Sequence, residues 1–499
     1  MRAMDRVLAP LLATLSTLAA GCGASAPDGP PSAAAADRTQ AGAPAVAAQA
    51  PERRPNVLLL LTDDQRRDMI SALGDQRVRT PHMDRLADEG FAFTSAYVAG
   101  SLHGAVCMPS RAMLMTGRHF RELPLGMTML WDAPAETRGV SPAPTLPELF
   151  RAAGYRTHVV GKWHNGPRSL SPGFDGGGAI FFGGMSDHDA VPVHDFDPSG
   201  AYPGSARYVA EGFSSEIFAD EAVRFLESRR DQEQPFFLWL SFTAPHDPRM
   251  APEPFASMYA PETLALPPNF LPEHPFPIGD LRVRDEKLAG FPRTAEEVRG
   301  HLAGYFAMVS HLDAQIGRVL DALDAAGLAD DTLVVLAGDN GLAVGQHGLL
   351  GKQNVYEHSA GVPLVLRGPG IPAGGRSDAL CWLHDLHPTL CAAAGLEAPG
   401  GTTARSLLPV VRGEQDTVRD SLLLAYDTGD VRRDGPDAGR MRALRRGEWK
   451  LLWAQHGGTT TVRLFDLSTD PWETRDLAPD PAHAATRDAL LAELAAVDG

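Results

Sequence analysis

The sequence predicts an α/β fold with a central, mostly parallel sheet, followed by a small α+β subdomain. Three observations carry that prediction. Continuous apolar runs of strand length recur between Asn56 and Leu366, and helical patterns fill the gaps between them. Strands covered by helices on both faces read in this uninterrupted way, whereas half-exposed strands alternate. Beyond about residue 410 the runs shorten and crowd together, and one helical pattern ends the chain.

In chain order, Asn56-Val57-Leu58-Leu59-Leu60-Leu61 is a buried central strand that stops at Thr62-Asp63-Asp64. Thr80-Pro81 opens a helix through Leu86, and Gly90 closes it. In Cys107-Met108-Pro109-Ser110-Arg111 the proline reads as the first turn of a helix, where a missing N–H costs nothing. Cys107 therefore stands at a helix N-terminus, with Arg111 one turn further on the same face. Further buried strands are expected at Thr157 to Val160, Pro235 to Phe242, Thr332 to Ala337 and Val362 to Leu366, and helices at Ser215 to Ser228 and Glu296 to Ala326. Ser169 to Gly212, rich in Gly, Pro and His, reads as loops above the sheet. The C-terminal part offers strands at Ser421 to Ala425, Met441 to Leu444, Trp449 to Trp453 and Val462 to Phe465, then a helix from Ala482 to Val497: an antiparallel sheet with one covering helix.

The chain has 499 residues and a net charge of −17, so it lacks the broad basic surface that nucleic acid requires. An anionic substrate would need positive charge gathered locally in a pocket. Residues 1–22 carry Arg2 and Arg6, then the apolar run Val7 to Ala20, the layout of an export signal too short to span a membrane. Leu18-Ala19-Ala20-Gly21-Cys22 resembles a bacterial lipoprotein processing site, with Cys22 as the lipid anchor and Ala19 where Leu is usual; simple cleavage and export is the alternative. That places the protein in the periplasm or on the outer membrane of a bacterium. Residues 23–53, rich in Ala, Pro and Gly, read as a disordered linker, leaving a main domain over 54–409 and the C-terminal subdomain over 410–499. Of the four cysteines, Cys381 and Cys391 could pair in an oxidising compartment, but buried free thiols fit the apolar helical run around Cys391 better.

Candidate chemistry gathers at strand ends. Asp63 and Asp64 end the first strand, and Asp339 and Asn340 follow Thr332 to Ala337. Ligands collect outside the carboxyl ends of parallel strands, and three carboxylates with one amide oxygen suit a hard cation such as Ca²⁺ or Mg²⁺. Taken separately, each pair also reads as a loop or helix cap. Lys162 and His164 follow the strand ending at Val160, His246 follows Phe242, and Lys352 lies in the loop after Asn340. Tyr356 and Glu357 are expected to pack against or orient Lys352. His384 and His387 flank Asp385 at a spacing that a zinc site could use, but the segment reads better as a helix start. His103, His188, His194, Arg249 and His347 fall in loops near the same edge without individual roles.

Cys107-Met108-Pro109-Ser110-Arg111 resembles the maturation and active-site motif of the type I sulfatases, and Leu464 to Glu473 resembles their C-terminal subdomain. The resemblance implies an alkaline-phosphatase-like sandwich from Arg54 to the C-terminus. It implies that a formylglycine-generating enzyme oxidises Cys107 to formylglycine (3-oxoalanine). One divalent cation, Ca²⁺ in preference to Mg²⁺, would be held by Asp63, Asp64, Asp339, Asn340 and residue 107. By the same analogy the hydrated aldehyde attacks sulfur, and Arg111, Lys162 and Lys352 neutralise the sulfate oxygens. His246 with Lys352 protonates the leaving alcohol, and His164 takes the proton whose loss expels sulfate. The expected activity is hydrolysis of sulfate monoesters, with exo attack on a sulfated carbohydrate, since an acidic protein does not steer polyanionic chains. Two other readings stand beside it: a phosphodiester or phosphonate monoester hydrolase on the same site, and a non-catalytic lipoprotein that binds sulfated glycans.

Overall fold

Every residue of β1 (Asn56–Thr62) is buried, and the main sheet is laid out on either side of this strand. The computed structural model describes residues 54–498 except 103, 131, 132, 280, 282 and 429–438. The signal, linker, Cys22 and His103 readings lie outside the described residues.

Seven further strands complete the sheet: β2 (Phe91–Phe93), β3 (Arg156–Lys162), β4 (Gly176–Phe181), β5 (Phe236–Ser241), β6 (Thr332–Gly338), β7 (Leu364–Arg367) and β8 (Gly375–Ser377). Their order is β8-β2-β7-β6-β1-β5-β3-β4. The pairings are parallel except on the two sides of β7, so β7 runs against all the others. Strand propensity spans only about 1 kcal/mol, whereas burying one Leu side chain stabilises by about 1.5–3 kcal/mol. Burial therefore decides β1. Val57, Leu59 and Leu61 enter one core, with the helix α2 (Cys107–Thr116). Leu58 and Leu60 enter the other, against three helices: α1 (Pro81–Glu89), α3 (Ser214–Ser228) and α4 (Ala295–Ala325). Alternation of side chains across the strand thus fills both layers of the sandwich. α4 begins with a capping box in which Thr294 Oγ1 accepts from Glu297 N and the Glu297 carboxylate accepts from Thr294 N.

The C-terminal sheet is an antiparallel meander of β9 (Ser421–Thr428), β10 (Gly439–Arg446), β11 (Trp449–His456) and β12 (Thr459–Asp466). The helix α5 (Ala484–Asp498) covers it through Leu490 and Leu494. Gly100–Ser101, far away in the chain, adds a fifth, parallel strand beside β9.

Several expectations are corrected. The loop-rich Ser169 to Gly212 contains the edge strand β4, whose Gly-Gly-Gly start removes the apolar signal. α1 runs on to Glu89. Cys381 and Cys391 are buried and free, as expected. Asp385 accepts from Arg419 and from the Trp382 and Arg405 N–H groups at the start of the helix Leu386–Ala393, in keeping with the helix-start reading of that segment.

β3 is also longer than expected, because a register shift between Val160 and Lys162 carries it on to Lys162. Gly161 makes that shift with φ +84°, and a Cβ there would sit 2.0 Å from the Ser241 carbonyl oxygen. Gly161→Ala is expected to cost about 3 kcal/mol or more, read as a lowered urea midpoint. An unchanged midpoint would show that the bulge relaxes freely.

Candidate active site

Four adjacent parallel strands, in the order β6-β1-β5-β3, end at one level, since Leu61 pairs with both Ala337 and Ser241, and Gly161 pairs with Ser241. Each delivers site residues beyond its carboxyl end. Asp63 and Asp64 follow β1, Asp339 and Asn340 follow β6, His246 lies in the loop after β5, and β3 brings Lys162 and His164. Asp64 (φ 67°) and His164 (φ 70°) adopt the left-handed conformation that non-Gly residues seldom take. Such strain persists where the surroundings over-determine it, and it concentrates at functional sites.

α2 aims at the same point. Cys107 is its first residue and Pro109 its third, and all ten residues are buried. Arg111, one turn on, donates from Nε to Asp339 Oδ2 (2.8 Å) and from Nη1 to the Lys162 carbonyl (2.7 Å) and Ser241 Oγ (2.6 Å). The Cys107 Sγ lies 3.4 Å from His164 Nδ1 and 3.9 Å from the Nζ of both Lys162 and Lys352. Lys162 pairs with Asp63 and donates to the Gly184 carbonyl (2.6 Å), while Lys352 donates to Asp64 Oδ1 (2.6 Å). His246 Nε2 is 3.6 Å from Asp64 Oδ2, and its Nδ1 is 2.8 Å from the Asp247 carbonyl. Asn340 Nδ2 donates to Asp64. All ten residues singled out in the sequence therefore meet in one buried site.

The electrostatics sort these groups. Burial alone would raise Asp63, yet Lys162, His246, Arg111 and Lys352 together hold it well below the carboxylate range. Asp339 is pushed up to about 7 by burial and by the neighbouring Asp63, against the pull of Arg111 and Lys162. Burial, then Lys162 and Arg111, keep His164 well below its ordinary value, so at neutral pH it carries a lone pair. Burial raises the Cys107 thiol in spite of both lysines, so an unmodified Cys107 is a neutral thiol and a weak nucleophile.

Whether the residues fit a cation is decided by two oxygens. Asp63 Oδ1 and Asn340 Oδ1 are buried and have no hydrogen-bond partner among the described residues. An orphaned buried acceptor costs about 1–3 kcal/mol, which an ion between them would offset. Donor atoms of Asp63, Cys107 and Asp339 lie within 4.8 Å of one another, as do those of Asp63, Asp64 and His246. An oxygen-rich, buried, acidic set fits a hard divalent cation.

Some participants carry no sequence signal. Ser241 and the Gly184 carbonyl fix Arg111 and Lys162. Arg284 pairs with Asp247 and Asp285 and lies 3.5 Å from His246 Nε2. Of the loop residues named from the sequence, His188 has its Nε2 2.8 Å from the His246 carbonyl, which anchors the loop after β5. Of the remaining loop residues, Arg249 donates to the Leu350 carbonyl at the site's edge, within electrostatic reach of Asp247 and Asp64, while His194 packs on Phe182 and His347 stacks on Tyr356. Glu357 does not orient Lys352, contrary to expectation. Its side chain turns to the C-terminal sheet and pairs with Lys450 (2.9 Å) and Arg67 (3.1 Å).

A family model described as Sulfatase matches residues 55–396, and one described as N-sulphoglucosamine sulphohydrolase, C-terminal matches residues 345–498. The chain is 29% identical over 487 residues to an N-acetylglucosamine-6-O-sulfatase of Bacteroides thetaiotaomicron, covering 86% of this chain and 82% of that protein. A solved structure of a protein in complex with its substrate D-glucosamine-2-N,6-O-disulfate shares the fold, with a TM-score of 0.73 at 24% identity over 89% of this chain and 97% of the other. The phosphonate monoester hydrolase of Agrobacterium radiobacter superposes with a TM-score of 0.68 at 25% identity, over 89% of this chain and 95% of that one.

Proposed function

The chain belongs to the sulfatase family and is a sulfuric ester hydrolase, and from that premise we propose that it removes sulfate from the end of a sulfated carbohydrate, using formylglycine made from Cys107 and a divalent cation, Ca²⁺ before Mg²⁺. The observation that carries the reading is the setting of the Cys107 Sγ, with His164 Nδ1 at 3.4 Å and two lysine amines at 3.9 Å, in a site that also holds the orphaned Asp63 and Asn340 oxygens. Asp63, Asp64, Asp339 and Asn340 would hold the cation, which when bound supplies charge neutralisation at the sulfate oxygens and acidifies a hydroxyl on residue 107. Formylglycine supplies, as its hydrate, two hydroxyls on one carbon, so that one can bond sulfur and the other can drive its release.

The remaining work falls to groups on this chain. Arg111, Lys162 and Lys352 place three positive charges around residue 107, where the transition state needs its equatorial oxygens neutralised. His164 is unprotonated and nearest to residue 107, so it accepts the proton of the second hydroxyl. His246, fixed through its own carbonyl by His188 and through Nδ1 by the Asp247 carbonyl, points Nε2 at the site and, with Lys352, would pass a proton to the leaving oxygen. The net charge of −17 favours attack at a chain end over threading of a polyanion. The signal and Cys22 reading adds export to the periplasm or a lipid anchor on the outer membrane of a bacterium.

The N-acetylglucosamine-6-O-sulfatase relative makes sulfated hexosamines the first substrates to try. Protein matured by a formylglycine-generating enzyme is expected to release sulfate from mono- and disaccharides faster than from the parent polymer. Preferential release of sulfate from polymer interiors would defeat the exo reading. The phosphonate monoester hydrolase neighbour supports a second reading, phosphodiester or phosphonate ester hydrolysis. Faster turnover of those esters than of any sulfate would put it first. A chain whose Cys107 stays a thiol in its host would instead be a sulfated-glycan-binding lipoprotein.

A further inference from the structure

Behind the loop that carries Lys352 lies a second cluster that the chemistry above does not use. His347 and His358 stand on either side of Lys352 in the chain, and Glu473 comes from the segment after β12. All three are buried, and one donor atom from each lies within 4.8 Å of the other two. Neither ring nitrogen of His358 has a hydrogen-bond partner among the described residues, although the residue is only 8% exposed. His347 (φ 51°) and Glu473 (φ 56°) both adopt the left-handed conformation, at about 1–3 kcal/mol each. His358 and Glu473 line an open cleft of about 660 Å³, so solvent and ions can reach them.

We infer that His347, His358 and Glu473 bind a zinc ion, separate from the oxygen-lined site, with the fourth coordination position facing the cleft. Two imidazoles and one carboxylate suit zinc, whereas the set at Asp63, Asp64, Asp339 and Asn340 suits a hard cation. Donors held 2.0–2.1 Å from a tetrahedral ion stand about 3.3 Å apart. The His358 ring, which stacks on Tyr356, has no hydrogen bond among the described residues to break in turning toward an ion. The His347 ring is held in place by stacking on Tyr356, with ring centroids 4.1 Å apart.

Charge around the cluster is mixed. Lys450 Nζ lies 2.8 Å from Glu473 Oε1 and 2.9 Å from Glu357 Oε1, and Arg67 also pairs with Glu357. Lys450 can keep Glu357 while Glu473 turns to the ion. Burial and the adjacent Glu357 push Glu473 up to about 6 despite Lys450, and its Oε2 accepts from the Glu357 N–H (2.8 Å), so Oε1 is the oxygen that would turn to the ion. Burial, with neighbouring cations, keeps both histidines neutral at pH 7, as ligands must be. Such an ion would pin both ends of the segment carrying Lys352 to the C-terminal part of the chain.

The test uses full-length protein in millimolar Ca²⁺, which fills the oxygen site, titrated with Zn²⁺ and separately with Co²⁺ as a visible probe. The expected result is one further equivalent of zinc and the ligand-field absorption of nitrogen-bound tetrahedral Co²⁺. Both should be lost in His358→Ala and Glu473→Gln and kept in Asp339→Asn. No added equivalent in the unaltered chain would overturn the inference. So would an equivalent retained in both His358→Ala and Glu473→Gln but lost in Asp339→Asn. Because the readout is metal content and spectrum, the outcome is independent of the reading of the catalytic site.

Discussion

Replacing Cys107 with Ala is expected to lower sulfate release by about 10⁴-fold or more, while the thermal midpoint moves by no more than about 1 kcal/mol of stability would give. The two halves have different origins. Cys107 is 3% exposed and its Sγ bonds no backbone group among the described residues, so truncation to Ala leaves only a small cavity at the start of α2. The chemistry, by contrast, loses the side chain that maturation would convert to the hydrated aldehyde, at the position on which His164, Lys162 and Lys352 converge. Those groups cannot compensate, because none of them offers a pair of hydroxyls on one carbon. Ion chromatography of released sulfate, alongside a melting curve, measures both halves. Sulfate release within tenfold of the unaltered enzyme would sink the role of residue 107. A mass spectrum of the peptide containing residue 107 separates the remaining cases: an aldehyde or its hydrate means a matured site, and a thiol means that low activity reflects failed maturation.

What the sequence made legible was local. The leucine run of β1 stops at two carboxylates, and the proline after Cys107 marks a helix start, because each signal is written in adjacent residues. Convergence of the site was legible only through the rule that ligands gather at the carboxyl ends of parallel strands. The bonds that make it a site, such as Arg111 to Asp339 across 228 positions, depend on the order β6-β1-β5-β3, which no local pattern encodes. Arg284 and Ser241 were missed for that reason. The edge strand β4 was missed because its three glycines carry no apolar signal, and the fate of Glu357 because its partner Lys450 lies 93 positions away, in the C-terminal sheet.

Replacement of Asp339 should separate metal binding from folding. Asp339 does two jobs: Oδ2 accepts from Arg111 Nε and Oδ1 accepts from the Asp64 N–H. In Asp339→Ala the Arg111 guanidinium, 1% exposed, keeps the Lys162 carbonyl and Ser241 but loses its close carboxylate, with Asp63 3.9 Å away as the remaining counter-charge. Breaking a buried pair from one side costs about 3–5 kcal/mol, so this variant is expected to fold poorly. Asp339→Asn keeps a carbonyl oxygen for Arg111 and relieves the repulsion between Asp339 and Asp63, but turns its NH2 to the Asp64 N–H, so the cation-free protein should lose about 1–3 kcal/mol and still fold. Its affinity for Ca²⁺ should fall by about 100-fold or more, since a ligand and a negative charge are both removed. The cleanest readout is the stabilisation that the ion confers, about 2.7 kcal/mol at a hundred times its dissociation constant. That increment should appear in the unaltered protein on adding Ca²⁺, vanish on chelation, and be absent from Asp339→Asn at the same concentration. Turnover and the increment should then fall together. An Asp339→Asn variant that still gains the full increment would remove Asp339 from the ligand set.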